Sequence, residues 1–204
     1  MRKITAGLFI SLDGVVAEPQ DWHFPYFNEE MGAAVSAQLA TADTLLIGRA
    51  TYDSFAGAWP EREHAGGGDE AMAKALGDAR KIVVSHQDLD FTWRNSEQLK
   101  GDLVEAVKAL KEEPGAADIG MSGSPSIVRQ LTAAGLIDEL HLFVHPIALN
   151  SGLRLFGEGE PIPLKLLSAT PFETGVLHLV YGPSEPPAPA GYDEARAHLA
   201  QDGQ

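Results

Sequence analysis

The sequence predicts an α/β fold with a mixed, mostly parallel sheet, helices on both faces and antiparallel strands at the C-terminal end. Until about residue 135, short apolar runs alternate with segments of helical periodicity, and from there to residue 182 only strand-like runs follow. Strands separated by helices form parallel sheets, whereas consecutive strands pair antiparallel. We expect one domain over residues 1–182, followed by a Pro-rich spacer and short tail over 183–204.

The N-terminal third begins with a strand over residues 3–12 and an Asp-Gly turn at 13–14. A loop follows over 15–26, with prolines and three aromatic residues. Apolar residues then recur at helical spacing over 28–40, where Asn28 is a suitable N-cap because its side chain can accept from the first free N–H groups.

The next segment links a strand to a helix through a glycine. The apolar run 45–47 ends at Gly48, and Arg49 and Thr51 follow where a short helix is predicted to begin. The free N–H groups of a helix N-terminus, together with a guanidinium group, can bind a phosphate. The alternative is an ordinary strand-to-helix turn with a surface arginine.

The rest of the chain continues the alternation. Its predicted elements are a linker at 66–68, a helix over 69–78, strands over 81–86 and 118–121, helices over 99–111 and 125–134, a strand over 136–149, two strands within 163–182, and a tail over 192–199 that is helical or disordered. Pro125 suits the first turn of its helix because the missing N–H group would be unpaired there.

Small or polar residues follow three of the predicted strands. They are Gly48-Arg49, Ser85-His86 and Ser122-Gly123-Ser124. Because ligands of such sheets bind at the carboxyl ends of the strands, this coincidence strengthens the prediction of a phosphate-binding site.

The composition restricts the class of protein. A net charge of −14 argues against general nucleic-acid binding but leaves room for a small anionic ligand. The chain has no cysteine, which excludes disulfides and thiolate metal sites. The N-terminus does not resemble a signal peptide and no apolar run is long enough to cross a membrane, so a cytoplasmic protein is expected.

Other patterns give weaker signals. His141 and His145 lie four residues apart in a predicted strand, a separation of roughly 13 Å, so they cannot share one metal ion and line a pocket or a subunit contact instead. No metal site is expected. Trp22, Phe24 and Tyr26 form either a lid over a flat substrate or a plug at the edge of the core. A Gly-x-Ser-x-Gly motif is absent, which argues against a hydrolase.

Five segments in order resemble the dihydrofolate reductase-like family. The resemblance is greatest to the reductase domain at the C-terminal end of bifunctional riboflavin-biosynthesis proteins (the RibD C-terminal domain) and to its stand-alone bacterial relatives. These segments are Ser-Leu-Asp-Gly at 11–14, Leu-Ile-Gly-Arg-Ala-Thr-Tyr at 46–52, Ile-Val-Val-Ser at 82–85, Gly-Leu-Ile-Asp-Glu-Leu-His-Leu at 135–142, and Pro146 with Gly-Leu-Arg-Leu-Phe at 152–156.

This resemblance implies a three-layer fold and an NADPH site. The cofactor-binding residues carried over by position are Val16, Ala17, Gly48, Arg49, Thr51, Ser85, Gly123 and Ser124. Ser124 replaces the second glycine of the family's pair. Arg49 suits the 2′-phosphate that distinguishes NADPH from NADH, since a guanidinium group pairs well with a dianion.

The motifs define the catalytic and substrate-binding residues less clearly than the cofactor-binding residues. The candidate catalytic residues are Asp13 and Glu139, and the candidate substrate-binding residues are Trp22, Glu29 and Glu30. Glu29 and Glu30 are not in clear register with the carboxylate that holds the pterin in dihydrofolate reductases. Without cysteine, the chain cannot contain the zinc deaminase domain of the bifunctional relatives.

The function implied is an NADPH-dependent reductase that transfers a hydride to a C=N or C=O bond of a small pterin- or pyrimidine-like substrate. The resemblance also implies a homodimer formed through the late antiparallel strands. The alternative is a protein that binds NADP(H) without turnover and serves regulation or assembly. A third possibility is a structural domain whose cleft binds no ligand. In that case Arg49 would make only a salt bridge.

Overall fold

A computed structural model gives the structure of residues 1–68, 70–115, 117–192 and 196. The strands are β1 (Ile4–Ser11), β2 (Ala42–Gly48), β3 (Arg80–Val84), β4 (Ser96–Gln98), β5 (Asp118–Met121), β6 (Glu139–His145), β7 (Leu164–Pro171) and β8 (Leu177–Pro183). The helices are α1 (Glu29–Ala40), α2 (Arg49–Ala65), α3 (Glu70–Asp78), α4 (Leu103–Glu112) and α5 (Pro125–Ala133), and short 3-10 turns lie at Pro19–Asp21 and Phe24–Tyr26.

The strands form one mixed sheet in the order β4-β3-β2-β5-β1-β6-β8-β7. From β4 to β6 all neighbours are parallel, and β6, β8 and β7 pair antiparallel. The predicted mixed, mostly parallel sheet with antiparallel C-terminal strands is therefore confirmed. In the parallel part, the carboxyl ends of β3, β2 and β5 lie side by side, at one end of the strands.

Helices cover both faces of the sheet, which completes the three layers. On one face α4 and α5 pack through Val107, Val128 and Leu131 against β1, β5 and β6. On the other face α2 and α3 pack on Leu45 and Ile47 of β2, and α1 packs near Phe143 of β6 through its buried Met31.

Several element boundaries differ from the prediction. Helix α2 has 17 residues instead of being short: Phe55 and Trp59 pack its middle against the core, and the helix continues past Pro60 for five more residues. Helix α4 begins at Leu103 and not at residue 99, because Asp102 caps it by accepting from Val104 N and Glu105 N at 3.0 and 3.1 Å.

Two strands also differ from the prediction. Strand β4 was missed because its three residues are polar, as an edge strand tolerates. Strand β6 covers Glu139–His145 and not 136–149. It ends where Ile147 N turns back to donate to His145 O at 2.8 Å.

Lys81 joins α3 to β3 from inside the protein. Its side chain is fully buried, and Nζ donates to the carbonyl oxygens of Leu76, Gly77 and Ala79 at 2.7, 3.0 and 2.7 Å. These carbonyls lie at the C-terminal end of α3, where they lack helical partners. Burial lowers the pKa of Lys81 to about 8. The ammonium group thus fixes the end of α3 on the sheet.

In the described part of the chain, no helix is both long and apolar enough to cross a membrane. The predicted tail element over 192–199 lies mostly outside the described residues, and its helical or disordered state stays a prediction.

Candidate active site

Two helix N-termini meet at the carboxyl ends of β2 and β5. Gly48 precedes α2 and Ser124 precedes α5, and neither helix has a side-chain cap. The first N–H groups of both helices therefore lack a capping side chain and carry the positive end of the helix dipole. Thr51 Oγ1 lies 3.2 Å from Ser124 Oγ, so the two turns contribute neighbouring hydroxyl groups. This is an arrangement suited to an anion.

The approach of the two turns requires glycine. A Cβ on Gly48 would lie 2.2 Å from Ser124 Oγ and 3.0 Å from Ile127 Cδ1. Gly123 has a φ of +119°, and a Cβ there would lie 3.0 Å from Thr51 Oγ1. A side chain at Gly48 would clash with Ser124, and one at Gly123 would crowd Thr51 and strain the backbone. The Gly123–Ser124 peptide bond is cis.

A cavity of about 760 Å³ opens beside these turns, between α1, α2 and the loop that follows β1. Its walls are mostly apolar, and hydroxyl groups are concentrated where α2 and α5 begin. Among the residues predicted to bind the cofactor, four line it: Val16, Ala17, Thr51 and Ser124. Gly48 and Gly123 lie beneath Ser124 and Thr51, which they allow to approach. The structure thus brings six of the eight predicted cofactor residues together.

The other two predicted cofactor residues lie outside the cavity wall. Arg49 is in the first turn of α2 with half of its side chain exposed, and its nearest ion pair is to Asp53 at 3.7 Å. Ser85 follows β3, the neighbour of β2, and its hydroxyl group exchanges hydrogen bonds with the backbone of Gln87 at 3.0 Å. Both residues lie at the carboxyl ends of the strands, as the helix N-termini do.

Gln38 is a cavity residue that the sequence did not reveal as functional. Its Oε1 would lie 2.2 Å from a Cβ on Gly7, so the amide group rests on the bare backbone of β1. The side-chain amide of Gln38 makes no hydrogen bond with the described part of the chain. Gln38 shares a helix face with Val35 and Leu39, but that spacing does not distinguish a cavity wall from a packed core.

Asp13 is held by its own loop and does not line the cavity. Its carboxylate accepts from Ser11 Oγ, Leu149 N and Asn150 N at 2.7, 3.0 and 2.9 Å. These donors, the Ser11 hydroxyl first, lower its pKa to about 2. A carboxyl group that is ionised at neutral pH and fully engaged is unsuited to deliver a proton, so its predicted catalytic role is not supported.

Glu139 lies at the amino ends of the parallel strands, whereas the helix N-termini lie at their carboxyl ends. It begins β6, pairs with Thr5 near the start of β1, and accepts from Lys3 Nζ at 2.9 Å. The Lys3 hydrogen bond lowers the pKa of Glu139 below its usual value. Since parallel strands bring their carboxyl ends together, the first residue of β6 is separated from the cavity by the length of the strand. Its predicted catalytic role is not supported either.

None of the predicted substrate residues lines the cavity. Trp22 is buried, donates from Nε1 to Ala17 O at 3.0 Å and packs edge-on against His145. It therefore plugs the core and is not part of a lid. Glu29 and Glu30 lie in the first turn of α1, where Glu30 accepts from Glu173 N at 2.8 Å. They instead place acidic charge at a helix N-terminus, where it is favourable.

The paired histidines of β6 have separate surroundings. His141 Nδ1 lies 3.0 Å from His178 Nε2, and His145 is fully buried with Nδ1 2.8 Å from Phe143 O. The described residues contain no group of three or more His, Asp or Glu side chains placed to hold a metal ion.

Comparison with known proteins gives a consistent set of relatives. The model of the RibD C-terminal domain family matches residues 2–178. The uncharacterized protein YyaP of Bacillus subtilis (strain 168) is 29% identical over 184 residues, which cover 88% of this chain and 94% of that protein. The uncharacterized protein YwjB of the same organism is 29% identical over 164 residues, which cover 77% of this chain and 84% of that protein.

Solved structures share the fold at low sequence identity. A candidate riboflavin biosynthesis protein from Shewanella sp. PV-4 has a TM-score of 0.68 and 20% identity, covering 91% of this chain and all of that one. A pyrimidine reductase-like protein from Corynebacterium diphtheriae has a TM-score of 0.60 and 17% identity, with 91% and 93% covered. These likenesses establish a common fold.

The contact between Gly48 and Ser124 gives a stability prediction. Gly48→Ala should destabilise the protein by about 2 kcal/mol because the new Cβ overlaps Ser124. Adding Ser124→Gly should recover a large part of that loss, as measured by urea unfolding. Gly57→Ala is the control, because its Cβ would enter open space on α2 and should raise stability slightly. Equal effects of the two alanine substitutions would contradict this account.

The depressed pKa of Asp13 predicts an acid-dependent loss of stability. The contribution of Asp13 is fully present above its ordinary pKa of 3.8 and is lost as the pH falls toward about 2. Asp13→Asn should therefore flatten the dependence of urea-unfolding stability on pH in that interval. Asp21→Asn removes an equal charge from an exposed position and is the control for the change in net charge. A slope shared by Asp13→Asn and the wild type would refute this.

Proposed function

The chain belongs to the RibD C-terminal domain family, and we propose that it is an NADPH-dependent reductase acting on a C=N or C=O bond of a small pterin- or pyrimidine-like substrate. The observation that carries this proposal is the pair of uncapped helix N-termini, with Thr51 Oγ1 and Ser124 Oγ 3.2 Å apart at the mouth of an apolar cavity. When bound, NADPH supplies the hydride.

The residues at the helix N-termini suit the phosphates of this cofactor. Because Gly48 and Gly123 have no Cβ, Ser124 and Thr51 can approach each other, which places both hydroxyl groups at the helix N-termini. The free N–H groups of α2 and that of Ser126 in α5, with the hydroxyls of Thr51 and Ser124, would hold the pyrophosphate. Arg49, half exposed beside this site, would pair with the 2′-phosphate.

The cavity would orient the substrate and exclude water. Val16, Ala17 and Leu153 contribute apolar side chains to the cavity wall. Removing water from the cavity strengthens the remaining polar contacts. Gln38 presents both a donor and an acceptor to the polar edge of a heterocycle. Among the described lining residues only Glu18 carries a carboxyl group, and it is exposed on the loop. Water is therefore the proposed proton source.

The second candidate function is binding of NADP(H) without turnover, in regulation or assembly. It is favoured by the same shortage of an acid, since the carboxylates of Asp13 and Glu139 are engaged elsewhere. Transfer of deuterium from labelled NADPH to pterin, pyrimidine or carbonyl compounds discriminates between the two. Tight NADPH binding with no transfer to any of them would favour the second.

We also propose that the protein forms a homodimer through β7 and β8. Strand β7 is the edge of the sheet and almost wholly exposed, and Leu166, Leu167 and Leu177 are 51%, 50% and 43% exposed. An apolar edge strand with free backbone groups readily pairs with another chain. A second copy would cover both features.

The cofactor assignment predicts a selective effect of Arg49. Arg49→Ala should raise the Kd for NADPH by about 30-fold or more, because a charge-assisted contact to a phosphate contributes about 2–3 kcal/mol. The Kd for NADH should change by less than about threefold, since NADH lacks the 2′-phosphate. The measurement is a titration that follows tryptophan quenching.

Arg129→Ala is the matched control, because Arg129 is exposed on α5 and lies outside the cavity. It should leave both affinities unchanged. Equal weakening of NADPH and NADH by Arg49→Ala would remove the 2′-phosphate assignment, and no binding of either nucleotide to the wild type would end the reductase proposal.

The dimer is tested by mass measurement in solution. Light scattering after gel filtration should give about twice the chain mass for the wild type and the monomer mass for Leu166→Glu, because a carboxylate would be buried without a partner. Leu12→Glu, at a leucine 70% exposed outside β7 and β8, should remain dimeric. A monomeric wild type at micromolar concentration would exclude this dimer.

A further inference from the structure

One part of the cavity is formed by side chains from three helices. We call it the apolar arm, and its residues are Val35 and Leu39 of α1, Phe55 and Trp59 of α2, and Met72 and Leu76 of α3. Val35 and Leu39 lie four residues apart, as do Phe55 and Trp59, so each pair shares one face of its helix. Helices α2 and α3 pack against each other, and side chains of all three helices line the arm.

The arm contains no charged side chain. Over the described residues that line the whole cavity, no Lys or Arg is present, and the single charged group is that of Glu18 on the loop. Arg62 lies over the Trp59 ring with Cζ 4.9 Å from its centroid, but it is not part of the cavity wall. A phosphate placed in the arm would lose its hydration without a cation to replace it, which is strongly unfavourable.

The shape and chemistry of the arm favour a flat apolar group. Phe55 and Trp59 are in edge contact, with ring centroids 6.2 Å apart and an angle of 70° between the rings. Such pairs accept a further aromatic ring in offset or edge-to-face contact. Met72 adds a flexible thioether, which adapts to aromatic groups of different size.

The far end of the arm is separate from the anion site. Phe55 and Trp59 follow Thr51 on α2 by four and eight residues, roughly 6 and 12 Å along the helix axis. A ligand group beside Trp59 therefore lies about two helical turns from the Thr51 hydroxyl.

We propose that the apolar arm binds an uncharged, apolar and preferably aromatic substituent of the substrate, and that it rejects a phosphorylated one. The inference rests on the proposed function only in taking this substituent to be part of the substrate that is reduced. It narrows the substrate class to neutral compounds with an apolar extension.

The test uses two small probes that differ in charge, 4-ethylphenol and phenyl phosphate. The chain has three tryptophans, so a ¹⁵N-labelled sample gives three indole N–H signals, and Trp59→Phe identifies that of Trp59. The probes are titrated into the protein with and without NADPH. We expect 4-ethylphenol to shift the Trp59 signal in both samples. In the sample with NADPH, whose phosphates would occupy the helix N-termini, its Kd should be at least about tenfold lower than that of phenyl phosphate.

Matched variants locate the binding. Trp59→Leu should weaken 4-ethylphenol several-fold, and Phe27→Leu, at a residue 48% exposed outside the cavity, should not. Met72→Ala gives a second change in the arm, observed through the Trp59 signal, should Trp59→Leu be unstable. Unchanged affinity in a folded arm variant would overturn the proposal.

Two further outcomes would also overturn it. Tighter binding of phenyl phosphate, abolished by Arg62→Ala, would make the arm a phosphate site. A Trp59 shift caused by NADPH, with loss of 4-ethylphenol binding, would assign the arm to the cofactor. Absence of NADPH binding would refute the reductase proposal while leaving the probe result intact, so the two failures are distinguishable.

Discussion

The candidate site depends on the close contact between Gly48 and Ser124. Because Gly48 has no side chain, the Ser124 hydroxyl occupies the space that a Cβ would take, and the turns after β2 and β5 can touch. That contact brings two uncapped helix N-termini to the same place, with the Thr51 hydroxyl between them. Each terminus alone is a common feature of α/β proteins, but together they concentrate backbone donors and dipole charge beside one cavity.

The part of this arrangement that follows chain direction could be predicted from the sequence. Alternating strands and helices imply parallel strands, whose carboxyl ends share an edge, so Gly48 and Ser124 were expected to lie close together. The apolar arm and Gln38 could not be predicted in the same way. Their residues have the spacing of ordinary core-facing helical positions, and only the separation of α1 from α2 makes that face a cavity wall.

The two candidate catalytic carboxylates show a second limit of sequence reasoning. The partners of Asp13 include the backbone of Leu149 and Asn150, far away in the chain, and no local pattern reveals such contacts. Glu139 differs, because helix α5 precedes β6 in the chain, and a helical connection favours a parallel strand. A residue near the start of a strand parallel to β1 lies at the amino ends of the strands, whereas the ligand site lies at their carboxyl ends.

The distribution of charge connects the proposed cofactor site with the proposed substrate. Favourable sites for negative charge lie at the helix N-termini and Arg49, while the described walls of the cavity offer hydroxyls, the Glu18 carboxylate, the amides of Gln20 and Gln38, and apolar groups. An anionic substituent in the arm would therefore be desolvated without compensation, whereas the cofactor's phosphates would find donors at the helix ends. In the proposed reaction, the lack of a cationic side chain in the described cavity wall leaves Gln38 and the surrounding dipoles to orient a neutral heterocycle, and a low local dielectric increases the effect of each.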